Sequence, residues 1–315
     1  MKRVVALILA AIASSMAQAQ DYPNKPIRII VGHGPDVLSR IIGQKFTESW
    51  GQQVVVDQRP GGGGIISAEL ASKAPADGYT LLMITSSYTI NAHLQKTTYD
   101  LVKDFSPIAL CVTSPYILSV HPAVAARTIQ ELLALAKAKP GQLNYASPGN
   151  GTGPHLTMEM LKQAAQVNIV NIVYKAAAPA MVELMAGQVQ MIFQTGPGSL
   201  AQIKAGRVRA LVVTGAKRYQ QLPEVPTMIE SGFAGFEANG WNGLVAPTGT
   251  PKALIAKINA EVVRVMKDPG VLQKISETGW ETVSVGTRPE EFAKFIHSEM
   301  AIYGKAIKDT GAKVD

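Results

Sequence analysis

The sequence predicts an α/β protein of two domains, and three features of the chain lead to this prediction. Its 315 residues exceed the roughly 250–300 residues at which a single hydrophobic core stops growing. Apolar residues make up 47% of the chain and charged residues 17%, which is enough for a large buried interior. Short aliphatic runs alternate with amphipathic helical patterns, as is typical of sheets whose strands are joined by crossover helices.

The first nineteen residues predict a signal peptide. Lys2 and Arg3 give a basic start, residues 4–13 are an unbroken apolar run, and Ala17 and Ala19 flank Gln18 in the small-x-small form that signal peptidase cleaves. Ten apolar residues are too few to span a bilayer, which takes about 20 residues. We therefore expect export to the periplasm with cleavage near Ala19.

Seven short runs rich in Val, Ile and Leu predict strands. These runs are Ile27–Val31 and residues 53–56, 80–84, 142–146, 168–173, 189–193 and 209–213. Cys111 lies in a further apolar run, residues 107–112, where we expect another buried strand. A single cysteine cannot form an internal disulfide, so the mature fold must be held by packing alone.

Amphipathic patterns between these runs predict helices. Apolar residues recur on one face over residues 37–46 and again over residues 254–265. Three helix starts carry sequence signals, two of them capping boxes and one a threonine before a proline. The signals are Thr128 with Glu131, Thr287 with Glu290, and Thr250 with Pro251.

The sequence gives no support to an enzyme, a metal site, a cofactor or a nucleic-acid partner. It contains no Gly-x-Ser-x-Gly, His-Glu-x-x-His or Walker motif and no cysteine pair with zinc spacing. Asp100 and Asp104 could share a helix face, but two carboxylates four residues apart are far more often a solvated surface than an acid–base pair. The net charge is +7, yet the cations are scattered and form no stripe that could follow a phosphate backbone.

Small polar residues and glycines follow several of the predicted strands. In open α/β sheets, ligands bind beyond the carboxyl ends of the strands, where helix N-termini favour anions. The best candidate is the loop of residues 147–153, because a predicted helix over residues 155–163 follows it. An ordinary turn that needs glycine at positive φ explains this loop equally well.

Ordered markers along almost the whole chain resemble one family of proteins. The segments are Tyr22-Pro-x-Lys-Pro-Ile27, Arg59-Pro-Gly-Gly, Asp77-Gly-Tyr-Thr-Leu-Leu82, Asp104-Phe, Lys137-Ala-Lys-Pro-Gly-Gln-Leu-Asn-Tyr-Ala-Ser147, Gly149-Asn-Gly-Thr152 with His155, Tyr174-Lys175, Ala216-Lys-Arg218, Leu222-Pro-x-Val-Pro-Thr227 and Ala246-Pro-x-Gly-Thr-Pro251. Together they resemble the substrate-binding receptors of tripartite tricarboxylate transporters, the Bug family.

The resemblance implies a monomeric periplasmic receptor with a type II periplasmic-binding-protein-like fold. Each domain would be a mixed sheet flanked by helices, with a small carboxylate held in the cleft between the domains and delivered to integral membrane permease subunits. The first domain would comprise residues 20–119 and 242–315, and the second residues 120–241. The hinges would lie near residues 119–121 and 239–242.

The resemblance also implies which residues contact the ligand. Hydroxyl and backbone N–H groups would donate hydrogen bonds to carboxylate oxygens. Tyr174 could donate its phenol hydroxyl to the ligand, but a packing role explains this residue equally well. His155 is expected to support its loop. The implied ligand-binding residues are Gly34, Thr85, Ser86, Ser87, Tyr88, Ser147, Gly149, Asn150, Thr152, His155, Tyr174 and Gln194.

The sequence departs from the family pattern at two places. The loop from Gly32 to Asp36 is about four residues shorter than the usual first binding loop, and Gln194 stands where many relatives carry Asp. A periplasmic protein that signals ligand state to a membrane sensor kinase, and an enzyme on a binding-protein fold, are the alternative functions. Genomic adjacency to a permease or to a sensor kinase would separate the receptor from the sensor.

Overall fold

The computed structural model describes residues 22–32, 36–283 and 288–313 and builds them around a ten-stranded mixed sheet flanked by helices. The strands are β1 (Ile27–Val31), β2 (Val54–Gln58), β3 (Thr80–Thr85), β4 (Phe105–Val120), β5 (Asn144–Ser147), β6 (Val170–Val173), β7 (Met191–Thr195), β8 (Arg209–Val213), β9 (Asn239–Pro247) and β10 (Glu281–Thr282). The helices are α1 (Val37–Trp50), α2 (Ile65–Ser72), α3 (Ser86–Leu94), α4 (Ile129–Ala138), α5 (Gly153–Ala165), α6 (Ala177–Met185), α7 (Gly196–Lys204), α8 (Lys252–Met266), α9 (Pro269–Glu277) and α10 (Pro289–Thr310).

The long strand β4 joins two halves of this sheet. Its residues up to Pro115 pair antiparallel with β9, whereas its residues from Tyr116 onward pair antiparallel with β7 and β8. On the β9 side the order is β2-β1-β3-β9-β4, with β10 also paired to β4; on the other side it is β4-β7-β5-β6. We call the residues up to Pro115, together with the chain from β9 onward, the first lobe. Residues 116–238 form the second lobe.

All seven predicted strands are present, at bounds shifted by no more than a few residues, and Cys111 lies inside β4 as expected. The sequence did not predict β9 or β10. β9 contains Gly240 and Gly243, which disfavour an isolated strand. Neighbouring side chains need both glycines, because a Cβ on Gly243 would lie 2.1 Å from the Phe292 ring and one on Gly240 would lie 2.5 Å from Thr195.

The predicted apolar helix faces are confirmed by α1 and α8, whose inward residues are buried. The Thr128 hydroxyl caps α4 by accepting a hydrogen bond from the backbone N–H of Glu131, at 3.2 Å. The other two predicted starts are corrected. Thr287 lies outside the described residues, and the carboxylate that caps α10 belongs to Glu291, one residue beyond the predicted Glu290. Thr250 does not cap α8, since its hydroxyl donates to the carbonyl of Pro247.

Each lobe has its own hydrophobic core. In the first lobe, α1 and α8 pack on the sheet around Ile29, Leu244 and Val262, whereas the second lobe is centred on Leu118 and Met191. Cys111 belongs to the first-lobe core, where burial raises the pKa of its thiol to about 12. Its thiol is therefore protonated and unreactive at neutral pH, as its apolar setting predicts.

Candidate ligand-binding cleft

A cavity lies where the two lobes meet, beside the crossing strands β4 and β9. The empty space that it encloses, including its open mouth, is about 450 Å³. The lining residues are Thr85, Ser86, Ser87, Tyr116, Pro148, Pro154, Ala177, Gln194, Thr195, Gly240, Trp241, Asn242 and Trp280.

The first lobe contributes the N-terminus of α3 to the cavity wall. β3 runs directly into this helix, and Thr85 is its N-cap, with its hydroxyl accepting from the backbone N–H of Ser87 at 3.3 Å. The small polar residues that follow this strand in the sequence therefore form the first turn of a helix that begins at Ser86. The N–H groups of this first turn give the wall a positive potential.

The second lobe brings the starts of three helices to the same cavity, but these starts offer fewer donors. α5, α6 and α7 each carry a proline within their first three residues, Pro154, Pro179 and Pro197, and proline has no backbone N–H. At α7 the N–H of Gly196 is already bonded to the Ser114 hydroxyl, at 2.8 Å. The N-terminus of α3 has no proline in its first turn, although the N–H of Ser87 is bonded to the Thr85 hydroxyl.

None of the lining residues found in the described part of the chain carries a formal charge at neutral pH. An anion in this cavity would be held by hydroxyl, amide and backbone N–H donors. Such hydrogen bonds are strengthened by the charge of the acceptor and by the low polarity of buried surroundings.

Two tryptophan side chains line the cavity and differ in their hydrogen bonding. The indole Nε1–H of Trp241 donates to the Glu299 carboxylate at 2.7 Å. Burial raises the pKa of Glu299 to about 6. The indole Nε1–H of Trp280 is buried and has no hydrogen-bond partner among the described residues.

Four of the implied ligand-binding residues line the cavity, namely Thr85, Ser86, Ser87 and Gln194. The hydroxyls of Ser86 and Tyr116 lie 2.9 Å apart and form a hydrogen bond between the lobes. The amide of Gln194 donates to the carbonyl of Ala177 at 3.3 Å, so it also holds the start of α6. Gly34 lies outside the described residues.

Two implied residues lie away from the cavity. The Tyr88 hydroxyl is 2.7 Å from the Ser67 hydroxyl inside the first lobe, and burial raises the pKa of Tyr88 to about 12. Tyr174 is half-buried and packs against the apolar cluster beneath α6, as its alternative interpretation predicted.

The loop of residues 147–153 borders the cavity through Pro148. Ser147 is fully buried and its hydroxyl has no partner among the described residues. The Thr152 hydroxyl does not point to a ligand as we expected, because it donates to the carbonyl of Gly149 at 2.7 Å and closes the loop on itself. Gly149 has a φ of 128°, so the turn interpretation accounts for this glycine.

Asn150 and His155 also do not line the cavity. Asn150 accepts a hydrogen bond from the side chain of Asn171 at 2.9 Å. His155 is buried in the first turn of α5, its Nδ1 has no partner among the residues described, and burial lowers the pKa of its imidazole. His155 is therefore neutral at pH 7 and supports the helix start.

Sequence reasoning missed the lining residues that come from the crossing strands and the C-terminal segment. Tyr116, Gly240, Trp241 and Asn242 belong to β4 and β9, and Trp280 precedes β10. Two other lining residues could have been identified from the sequence, because Pro148 lies within the predicted loop and Pro154 directly follows it.

The described residues contain no group of three His, Cys, Asp or Glu side chains able to hold a metal ion. Among the helices that the structure describes, none is long and apolar enough to cross a membrane.

The two-lobed fold and the cleft at the lobe junction define a periplasmic binding protein. The chain belongs to the family described as the tripartite tricarboxylate transporter family receptor, which it matches over residues 38–312. The UPF0065 protein in the tcbD-tcbE intergenic region of Pseudomonas sp. (strain P51) is 38% identical over 97% of this chain and 93% of that relative.

Two solved structures have the same fold over nearly their full length. R. palustris Rpa4515 with adipate has a TM-score of 0.88 and 30% identity, covering 93% of this chain and 99% of that one. The periplasmic binding protein BugD has a TM-score of 0.87 and 30% identity over the same shares of the two chains. The resemblance inferred from sequence motifs is thereby confirmed.

Proposed function

We propose that this chain is an extracytoplasmic receptor that binds a small carboxylate in the cleft and delivers it to the integral membrane permease of a tripartite tricarboxylate-type transporter. One observation carries the proposal: the first turn of α3 faces the cavity at the lobe junction, where the Ser87 hydroxyl and backbone N–H groups can donate to an anion. The adipate bound by the related Rpa4515 is a ligand of this chemical class.

The ligand carboxylate is held at the first turn of α3. The hydroxyl of Ser87 and the N–H groups of this turn donate to the carboxylate oxygens, and the Ser86 hydroxyl is positioned by Tyr116. Ser147 adds a fully buried hydroxyl behind Pro148 that has no partner among the described residues. The receptor performs no catalysis in this proposal, since binding and release are its whole function.

The lobes differ from the two domains inferred from the sequence only at their edges, where residues 116–119 lie in the second lobe and residues 239–241 in the first. We assign residues 20–119 and 242–315 to the first domain and residues 120–241 to the second, with residues 1–19 as a signal peptide outside the described residues. The change of strand partners at Pro115 and Tyr116, together with the start of β9 at Asn239, supports hinges close to these boundaries. The receptor acts as a monomer in the periplasm.

Ser87→Ala tests the binding site directly. We expect wild-type protein to bind adipate in calorimetry, and the variant to lose about 1.5–3 kcal/mol of binding free energy, because a hydrogen bond to a charged group is removed. Ser39→Ala is the matched control: Ser39 is buried in α1, its hydroxyl has no partner among the described residues, and it does not line the cavity.

Equal adipate affinity in the wild type and Ser87→Ala would show that the carboxylate binds elsewhere. If neither adipate nor any mono-, di- or tricarboxylate shifts the melting temperature, the receptor proposal is wrong.

A further inference from the structure

Trp280 lies at the end of the cavity opposite to the N-terminus of α3. Strand pairing connects Thr85 to Asn242, Asn242 to Val112, and Val112 to Thr282, two residues after Trp280. Three strand spacings of about 4.8 Å separate the ends of this row, or roughly 14 Å between backbones. A ligand that spans the cavity therefore has one end at α3 and the other near Trp280.

Contacts with the second lobe fix the position of Trp280. The Tyr219 hydroxyl donates to the carbonyl of Gly279, the residue before Trp280. Gly279 has a φ of 86°, and a Cβ on it would lie 2.9 Å from the carbonyl carbon of Gly196. The Gln221 amide also donates to the hydroxyl of Ser276 in α9, at 2.9 Å. The indole is thus held between the lobes.

The indole Nε1–H of Trp280 is a donor in need of an acceptor. Trp280 is 4% exposed, and its Nε1 has no hydrogen-bond partner in the described part of the chain. A buried N–H without a partner is destabilising, so such groups are rare and call for a specific cause. Trp241, the other indole on the cavity, has its N–H satisfied by Glu299.

The surroundings of Trp280 favour a neutral acceptor over a second carboxylate. The nearby start of α7 has lost two donors, because Pro197 has no N–H and the N–H of Gly196 is bonded to Ser114. Gln194 on the same wall is uncharged and already donates to the carbonyl of Ala177. The described wall near Trp280 therefore offers neither a cation nor the leading N–H groups of α7 to hold a second carboxylate.

We propose that Trp280 determines which carboxylate this receptor accepts, by donating its Nε1–H to a neutral oxygen at the far end of the ligand. The preferred ligand is a monocarboxylate with a flat apolar body, such as an aromatic acid, that carries a carbonyl opposite its carboxylate; a dicarboxylate such as adipate binds more weakly. The apolar body lies between the indoles of Trp241 and Trp280 and the ring of Tyr116. This inference rests on the proposed receptor function.

A pair of ligands of nearly equal shape tests the hydrogen bond. The probes 4-acetylbenzoate and 4-isopropylbenzoate differ in a carbonyl oxygen that replaces a methyl group. We expect wild-type protein to bind the acetyl compound about two- to tenfold more tightly, the usual effect of one hydrogen bond, and Trp280→Phe to abolish this preference. Trp50→Phe is the control, since Trp50 packs on Phe46 and Tyr22 far from the cavity.

A spectroscopic measurement on the wild type does not depend on how well the variant folds. With ¹⁵N-labelled tryptophan, each indole N–H gives one resonance, and Trp50→Phe and Trp280→Phe assign two of them. We expect 4-acetylbenzoate to move the Trp280 resonance downfield, and 4-isopropylbenzoate to move it less.

The outcomes separate this inference from the proposed function. If adipate binds but neither benzoate does, or if Trp280→Phe retains the preference for the acetyl compound, the inference is overturned and the receptor function stands. A Trp280 resonance that is unmoved by bound 4-acetylbenzoate also overturns it. If no mono-, di- or tricarboxylate binds, the proposed function itself fails and the inference falls with it; if another carboxylate binds but neither benzoate does, only the inference is overturned.

Discussion

Gly153→Ala tests whether the lobes meet as the structure describes. Gly153 begins α5 in the second lobe, and a Cβ at this position would lie 1.8 Å from the Tyr116 hydroxyl and 3.1 Å from the Ser86 hydroxyl. Ordinary van der Waals contact needs about 3.4 Å, so α5 must move by roughly 1.6 Å or the Tyr116 ring must leave its position. Either change breaks up the interlobe contact beside the cavity.

The cost of the added methyl group follows from the packing. Forcing a methyl group into filled space costs about 1–3 kcal/mol. At roughly 2–4 °C per kcal/mol for a chain of this size, the melting temperature should fall by about 2–12 °C. If the lobes instead move apart to relieve the overlap, the melting temperature changes less, but the radius of gyration rises and carboxylate affinity falls.

Differential scanning calorimetry and small-angle scattering measure these two responses. Gly43→Ala is the control, because its Cβ would lie 3.2 Å from a methyl group of Val54 within the first lobe. Tyr116→Phe in the Gly153→Ala background removes the closest atom and should restore part of the loss. A Gly153→Ala protein that matches the wild type in melting temperature, radius of gyration and affinity would refute the close approach of α5 to Tyr116.

Two further predictions concern charge in and behind the cleft. Gln194→Asp should weaken adipate binding at least tenfold in calorimetry, because a new carboxylate about 4–6 Å from a ligand carboxylate costs a few kcal/mol at an effective dielectric near 20. The neutral variant Gln194→Asn is the control. Equal losses of affinity in both variants would show that charge is not the cause. Burial raises the pKa of Glu299 to about 6, so the folded state binds this proton more tightly than the unfolded state does. The free energy of unfolding should therefore decrease on the order of 1–2 kcal/mol as the pH rises from about 4.5 to 6. Glu299→Gln should flatten this part of the curve of melting temperature against pH. Glu290→Gln, an exposed change on the same helix, is the control and should leave the curve as it is. Parallel curves for the wild type and Glu299→Gln would show that Glu299 does not cause this pH dependence.

The strands that could be predicted are those whose burial comes from their own aliphatic residues. The run Ile27–Val31 is predicted at its observed bounds because both faces of β1 lie within the core. β9 could not be predicted, since its glycines reflect the Phe292 ring and the Thr195 methyl group, which approach from distant parts of the chain. Such requirements are tertiary and leave no local pattern.

The same distinction holds for the candidate site. Thr85, Ser87 and Gln194 were predicted because residues at or near the carboxyl end of a strand lie at the ligand edge of the sheet, whatever the rest of the fold does. Thr152 follows a strand in the same way, but its hydroxyl is used by the carbonyl of Gly149, an outcome that depends on loop conformation. Trp280 comes to the cavity only through the pairing of β10 with β4.

The residues that join the lobes are also residues of the cavity wall. Ser86 of the first lobe bonds to Tyr116 of the second, and both line the cavity against which Gly153 closes. A ligand shifts the balance between open and closed arrangements only by the difference in its affinity for them. A carboxylate that touched α3 alone would bind both arrangements equally and would leave the lobes free. Closure requires a ligand that also reaches the second lobe or the segment tied to it, and Trp280, held by Tyr219 through Gly279, is placed to provide that contact.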